Sequence, residues 1–437
     1  MLKKYKIFIY LYIFLFSKAI LASSSASFLI SQTAFNNYDF GQVLYEYSTN
    51  QNEDYKSDYL DELISAVVTE DFRVAEKIAE KILAIDPDNQ EAKLVQMSNT
   101  YNNDKFTNLN SLRLDSSNNK NELLEFLFFQ DDKVKIKSSV SNSFLDIVRS
   151  SYANTDINYS QNYNFLLFYA SLSILINSQN FEAFFIKGQL LQLIDDYVFA
   201  EKTYLKIPEN SEYFIDAQRN IAFNYSRESI FTDAEDKIIK IVKKNNSDYE
   251  LKKILADFYR IKKKYNAAIN LYTELLENNF EDAWSMFYLR GICYERSDNW
   301  DKAEKDFIES LKLKRNSPDV LNYLAYGWIE RDMKIDESFV MLTDAYNANP
   351  DSYYILDSLA WVYYKKKNYK KAAELMEEVI DMVPGEAISL DHLGDIYYAM
   401  NRKREASFFW KQAMDLASPE DEIIEKIEKK LKEYNAT

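Results

Sequence analysis

The single histidine, His392, stands in Asp391-His392-Leu393-Gly394-Asp395, where either carboxylate can raise its basicity. With one histidine and one cysteine, Cys293, there is no second ligand of these types to share a zinc ion. Nor is there the usual serine or cysteine nucleophile with a histidine base and its supporting carboxylate in recognisable spacing. No glycine-rich phosphate loop can be read among six glycines. Cys293, between Gly291 and Tyr294, falls on a helix-packing face and reads as an inert buried thiol. Carboxylate chemistry is the one catalytic route left open. Asp and Glu number 69, so a chance pair is close to certain, and a carboxylate-based enzyme on a helical toroid, glycoside-active for example, is the alternative to a binding protein. Lys262 to Lys264 and Lys365 to Lys367 concentrate positive charge, but both fall at turns, where solvated charge is the expected role. No catalytic residue, metal or cofactor is expected.

The elements that would position any site are helices. Six glycines and six prolines in 437 residues are too few for the turns of a strand-rich fold, while 47% hydrophobic content is enough for a packed interior. Residues 1–22 read as a signal peptide: Lys3, Lys4 and Lys6 form a basic head, residues 7–16 an apolar run too short to span a bilayer, and residues 22–26 a small-residue exit. The expectation is an exported, periplasmic protein. An uncleaved inner-membrane anchor is the alternative, and only that would bring membrane contact. Losing Lys3, Lys4, Lys6 and Lys18 with the leader makes the chain four units more negative than its formal -16, which argues against nucleic acid as a partner.

A self-similarity of 34 or 35 residues runs through the carboxyl-terminal half. One column holds Ala200, Ala234, Ala268, Ala303, Ser338, Ala372 and Ala406; another holds Gly188, Ala222, Ala256, Gly291, Ala325, Ala360 and Gly394. Three residues after the second column come Leu191, Tyr225, Tyr259, Tyr294, Trp328, Tyr363 and Tyr397. Four after the first come Tyr204, Ile238, Tyr272, Phe307, Leu342, Met376 and Trp410, the spacing of a buried helical stripe. Two antiparallel helices approach closely only where side chains are small, so each unit is a helix hairpin. Pro350, Pro384 and Pro419 close three units. The unit from Pro318 to Ser352 carries one extra residue before Ser338, expected in its internal turn.

Leu359-Ala360-x-x-Tyr363, Tyr369-x-x-Ala372, Met376 and Pro384 resemble the signature of the tetratricopeptide repeat family. That resemblance implies an all-α superhelical solenoid of antiparallel helix hairpins, used to bind proteins or peptides. Residues 181–420 hold seven regular units, and residues 421–437 a capping helix with Ile423, Ile424, Ile427 and Leu431 on one side. Residues 23–180 form degenerate helical repeats: Phe72, Ala75, Ala79, Ile82 and Pro87 repeat the second-helix pattern, and Phe40, Val43 and Tyr47 fit one more. Long polar loops are expected near 102–120 and 154–164, with buried helices at 123–129 and 165–176. Leu321 to Tyr326, Leu356 to Trp361 and Asp391 to Asp395 further resemble a proteobacterial cell-envelope group of these proteins. Some of that group are outer-membrane lipoproteins that act as adaptors, bringing substrates to carboxyl-terminal processing proteases, so a periplasmic protease or its substrates are the partners the resemblance implies. This chain departs from the group in having no lipidation cysteine after Leu21-Ala22.

The first helix of each unit should line the groove, on the side away from its small residue. Stepping three before and one after that column gives Phe185, Arg219 and Phe223, Lys253, Tyr288, Asn322 and Tyr326, then Asp357 and Trp361; Arg227, Arg260 and Arg296 add a basic middle. Aromatic and arginine side chains of this kind dominate protein-binding surfaces. Arg219, Arg227, Lys253 and Arg260 together would grip an acidic segment or free carboxyl terminus, unless Asp216, Glu250 and Asp257 neutralise them within the chain.

Overall fold

The computed structural model describes residues 24–49, 59–102, 133–153, 163–227, 232–278, 280–418 and 423–436, which hold twenty-two helices and no strand. The expected leader, the polar run 103–120 and the apolar stretch 123–129 lie outside the described residues. No described helix is long and apolar enough to cross a membrane. By their internal contacts, residues 1–224 and 225–437 form two compact units.

The first unit holds α1 (Ser24–Asn36), α2 (Phe40–Thr49), α3 (Leu60–Val68), α4 (Phe72–Ile85), α5 (Gln90–Asn102), α6 (Lys133–Ala153), α7 (Tyr163–Ile176), α8 (Phe181–Leu193), α9 (Tyr197–Tyr204) and most of α10 (Phe214–Arg227). Helix α7, expected to be buried, has no polar face, and α3, α5, α6 and α8 all pack against it. A helix that is apolar all round can be stable only when enclosed. Ser173 of α7 and Ser141 of α6 each donate to the other's carbonyl, at 2.9 and 3.0 Å, so these buried hydroxyls are satisfied. Lys187 of α8 is fully buried. Its Nζ donates to the Val68 carbonyl at 2.8 Å and to Glu70 at 2.9 Å, 5.0 Å from the centre of the Phe199 ring. Burial lowers its pKa to about 8, against the opposing pull of Glu70.

The second unit holds α11 (Ala234–Lys244), α12 (Tyr249–Ile261), α13 (Tyr265–Glu277), α14 (Ala283–Glu295), α15 (Trp300–Leu313), α16 (Pro318–Glu330), α17 (Ile335–Ala348), α18 (Tyr353–Lys365), α19 (Tyr369–Met382), α20 (Ala387–Ala399), α21 (Lys403–Leu416) and α22 (Ile424–Ala436). From α12 to α21 they pair as hairpins, and each second helix also packs on the next first helix. The small columns form the seams: Ala256, Ala268, Ala303, Ala325, Ala360, Ala372 and Ala406 are fully buried.

Seam size follows the side chain opposite. A Cβ added to Gly291 would stand 2.7 Å from the Phe307 ring, and one on Gly394 would stand 2.4 Å from the Trp410 ring. In the first unit Gly188 meets Tyr204 in the same way, at 2.4 Å. Each of these glycines precedes its aromatic partner by the same interval, and three of the four hairpins whose second helix presents a large ring at that position have glycine there; the fourth sets Ala256 at that interval before Tyr272.

The hairpin turns use left-handed residues that are not glycine. Asp195, Lys263, Asp298, Asp332, Lys367 and Asn401 all have positive φ, seven residues after the small column. In each, the next residue's N–H returns to the carbonyl three residues after that column, as in Asn299 to Tyr294 and Asn368 to Tyr363, both 2.9 Å. Both lysine clusters are therefore turn segments, with Lys263 and Lys367 as their left-handed residues. Tyr38 and Glu70 close α1–α2 and α3–α4 alike, with returning bonds Asp39 to Ala34 at 2.8 Å and Asp71 to Ala66 at 2.9 Å. The extra residue of the Pro318 unit lies where expected: a second left-handed residue, Lys334, follows Asp332 before α17. At the far end Ile423 and Ile427 of the capping segment are buried in the core beside Ala413 and Trp410, and Leu431 packs on it.

Candidate protein-binding wall

In the second unit the first helices α16 and α18, and α18 and α20, touch one another in a row and carry Asn322, Tyr326, Asp357 and Trp361; Lys253 and Arg260 lie on α12 and Tyr288 on α14. The middle of the wall is built of rings: Tyr288 of α14 packs edge-on against Tyr323 of α16, with centroids 5.5 Å apart, and lies 6.2 Å from Phe307. Tyr326 is half-buried against the core. Burial, the largest influence on both Tyr288 and Tyr326, pushes their pKa values well up from a range in which the hydroxyl is already neutral at ordinary pH. Asn322, one turn before Tyr326 on α16, is 6% exposed, and its Oδ1 accepts no hydrogen bond.

The charged wall residues have partners inside the chain. Lys253 Nζ lies 3.0 Å from Asp257 Oδ2, one turn on, and Arg260 Nε lies 3.9 Å from the other oxygen. Tyr272 donates to that same Oδ1 at 2.6 Å. Arg296 lies 3.5 Å from Glu295. Arg227 is exposed on the last turn of α10. In the first unit, Arg219 pairs with Asp216 at 2.8 Å, Phe185 stacks near Tyr204 and Tyr213, and Phe223 is 43% exposed. Two of the three carboxylates expected to neutralise the cations, Asp216 and Asp257, therefore do so.

Toward the end of the row the wall turns acidic and closes on itself. Asp357 accepts from Ser389 at 2.5 Å and lies 2.9 Å from His392 Nδ1. The imidazole stacks on Trp361 at 4.2 Å, Trp361 stacks on Tyr364 at 4.5 Å, and Trp361 Nε1 donates to Glu330 at 2.6 Å. Asp357 and Trp361 are thus buried parts of a network rather than open wall. Burial by itself would lower the His392 pKa; Asp357 foremost, then Asp391 and Glu330, outweigh it and raise it. One helix further, Lys430 of α22 donates to both oxygens of Asp391, at 2.7 and 2.8 Å, and to Asp395 at 2.8 Å. Trp410 Nε1 donates to Asp395 at 2.9 Å. No group of metal-ligating side chains is assembled among the described residues.

The pairings within one helix, Arg219 with Asp216 and Lys253 with Asp257, were visible as three- and four-residue spacings. The pairing of His392 with Asp357 spans 35 residues, one repeat, and no spacing within a single helix marks it. Lys187 was missed, because its partners Val68 and Glu70 stand far earlier in the chain.

Models of the tetratricopeptide repeat match residues 232–319 and 354–383. The chain therefore carries tetratricopeptide repeats over these residues. It is 26% identical over 147 residues to a TPR repeat-containing protein of Pseudomonas aeruginosa, a match covering 29% of this chain and 25% of that one, so it spans a quarter of that relative's length. Solved structures of similar course include yeast Tom70, at 13% identity, covering 94% of this chain and 96% of that one with a TM-score of 0.39. Another is a tetratricopeptide repeat protein from Parabacteroides merdae, at 20% identity, covering 57% and 97% with a TM-score of 0.45. A fold of this class serves as a scaffold for protein or peptide partners.

Proposed function

We propose that this chain is a non-catalytic scaffold of the bacterial cell envelope, exported to the periplasm, that holds a partner protein along the first-helix wall of its second unit. The observation that carries the reading is the division of labour within each hairpin. From α12 to α21 the small-residue columns are taken up fully in seams, whereas Tyr288 and Tyr326, three before and one after their small residues, are only half-buried and keep surface for a partner. Export rests on the basic head and short apolar run of residues 1–22. The adaptor role, presenting a substrate to a processing protease, rests on the resemblance of the last repeats to envelope adaptors. The carboxylate-enzyme alternative draws less support, because Asp357, Asp391 and Asp395 are each held by His392 or Lys430.

The test is fractionation of native cells, followed by affinity purification of the chain from the envelope with and without Tyr288→Ala and Tyr326→Ala. The reading expects a periplasmic chain and a co-purifying protein lost in the double variant. A cytosolic chain, or the same co-purifying proteins with both variants, contradicts it.

A further inference from the structure

We infer that the wall of the second unit recognises an uncharged, hydrogen-bonding polypeptide segment, not an acidic or basic one; this rests on the wall-binding reading above. From α12 to α20, charged positions of the wall meet intrachain counter-charges. Lys253 and Arg260 converge on Asp257, Arg296 lies beside Glu295, Asp357 faces His392, and Asp391 and Asp395 share Lys430. A charged ligand would have to displace one of these partners and would leave it uncompensated, so the net gain from a new ion pair is small. The neutral positions remain. Tyr288 and Tyr326 are half-buried neutral phenols, and Asn322 holds an acceptor with no donor. A buried orphan acceptor is a standing cost that an incoming N–H removes once the side-chain amide turns toward it. The chemistry that fits is a backbone amide or an Asn, Gln, Ser or Thr side chain lying across tyrosine faces. In the basic middle read from sequence, Arg260 and Arg296 each have a carboxylate beside them, and Arg260 Nε, 3.9 Å from Asp257, is a buried donor with no acceptor, which a backbone carbonyl of the same segment would satisfy.

The experiment measures binding of the full chain to arrays of twelve-residue peptides, grouped as uncharged, acidic and basic, at about 50 and about 300 mM salt. Two double variants accompany it. Tyr288→Phe with Tyr326→Phe keeps the rings and removes the hydroxyls; Lys253→Ala with Arg296→Ala removes cations. The inference expects uncharged peptides to bind best, with less than about a two-fold change across the salt range. It expects roughly ten-fold weakening in the phenylalanine variant and none in the alanine variant. Preference for acidic peptides, with steep salt dependence and loss in the alanine variant, overturns the inference while leaving the wall as the binding surface. Binding indifferent to both variants, or no binding by any set, overturns the wall reading itself. Circular dichroism melts of each variant separate lost contacts from lost folding.

Discussion

His392 Nδ1 lies 2.9 Å from Asp357 Oδ1 across two adjacent first helices, with the imidazole stacked on Trp361 beneath it. The neighbouring carboxylates favour the imidazolium more than burial opposes it. A folded pKa raised above the unfolded value means that stability from this pair is complete below the ordinary histidine range. It is lost as pH rises from that range through the raised folded value. Because the chain has one histidine, a proton NMR titration follows it unambiguously. The midpoint is expected above the ordinary value, and Asp357→Asn should bring it down.

Lys430 stands to Asp391 as His392 stands to Asp357: each cation comes from the next helix in the row and turns back to the carboxylate three residues before the preceding small residue. Helix α22 thus takes the place of an eighth first helix. Lys430→Met leaves Asp391 and Asp395 in a buried site without a counter-charge. The cost should be about 2 kcal/mol, below the usual range for a broken buried pair because the lysine side chain keeps 25% of its exposure. Hydrogen exchange is expected to quicken in α20 and α22 while α12 and α14 keep their protection.

The glycine seams can be tested by making them too large. Gly291→Ala puts a methyl 2.7 Å from the Phe307 ring and should destabilise by about 2 kcal/mol. Phe307→Leu by itself should also destabilise, through a cavity. Combined, the two should cost clearly less than their sum, since the smaller side chain admits the methyl. Additive denaturation energies would show that seam size is not matched to the opposing ring.

Ser338 is the one member of its column that is not alanine, fully buried with an Oγ that lacks a hydrogen-bond partner. Ser338→Ala removes an unsatisfied hydroxyl and keeps the seam, so it should stabilise by roughly 1 kcal/mol in chemical denaturation. A loss of stability would mean the hydroxyl is satisfied by a group the protein does not provide.

Spacing carried most of the fold. The small columns, the aromatic stripe and the all-apolar helix around Leu167 are patterns of residue type along one chain, and burial follows directly from them. The turns were less legible, because left-handed backbone is usually marked by glycine and here it is carried by Asp298, Lys367 and Asn401. Wall positions could be counted off from Gly291 and Ala325, but whether each was free could not. Trp361 is exposed or buried according to what His392 does one repeat later, and Lys253 is free or paired according to the rotamer that meets Asp257. Lys187 shows the limit: this lysine is buried only because α3 and its turn supply Val68 and Glu70.

The central claim is that partners meet the first-helix wall of the second unit. A photo-crosslinking amino acid placed at Tyr326, and separately at the exposed second-helix residue Lys305, tests it in intact cells. The account predicts a crosslinked protein from position 326 and none of that mass from position 305. The same product from both positions, or from 305 alone, would contradict it.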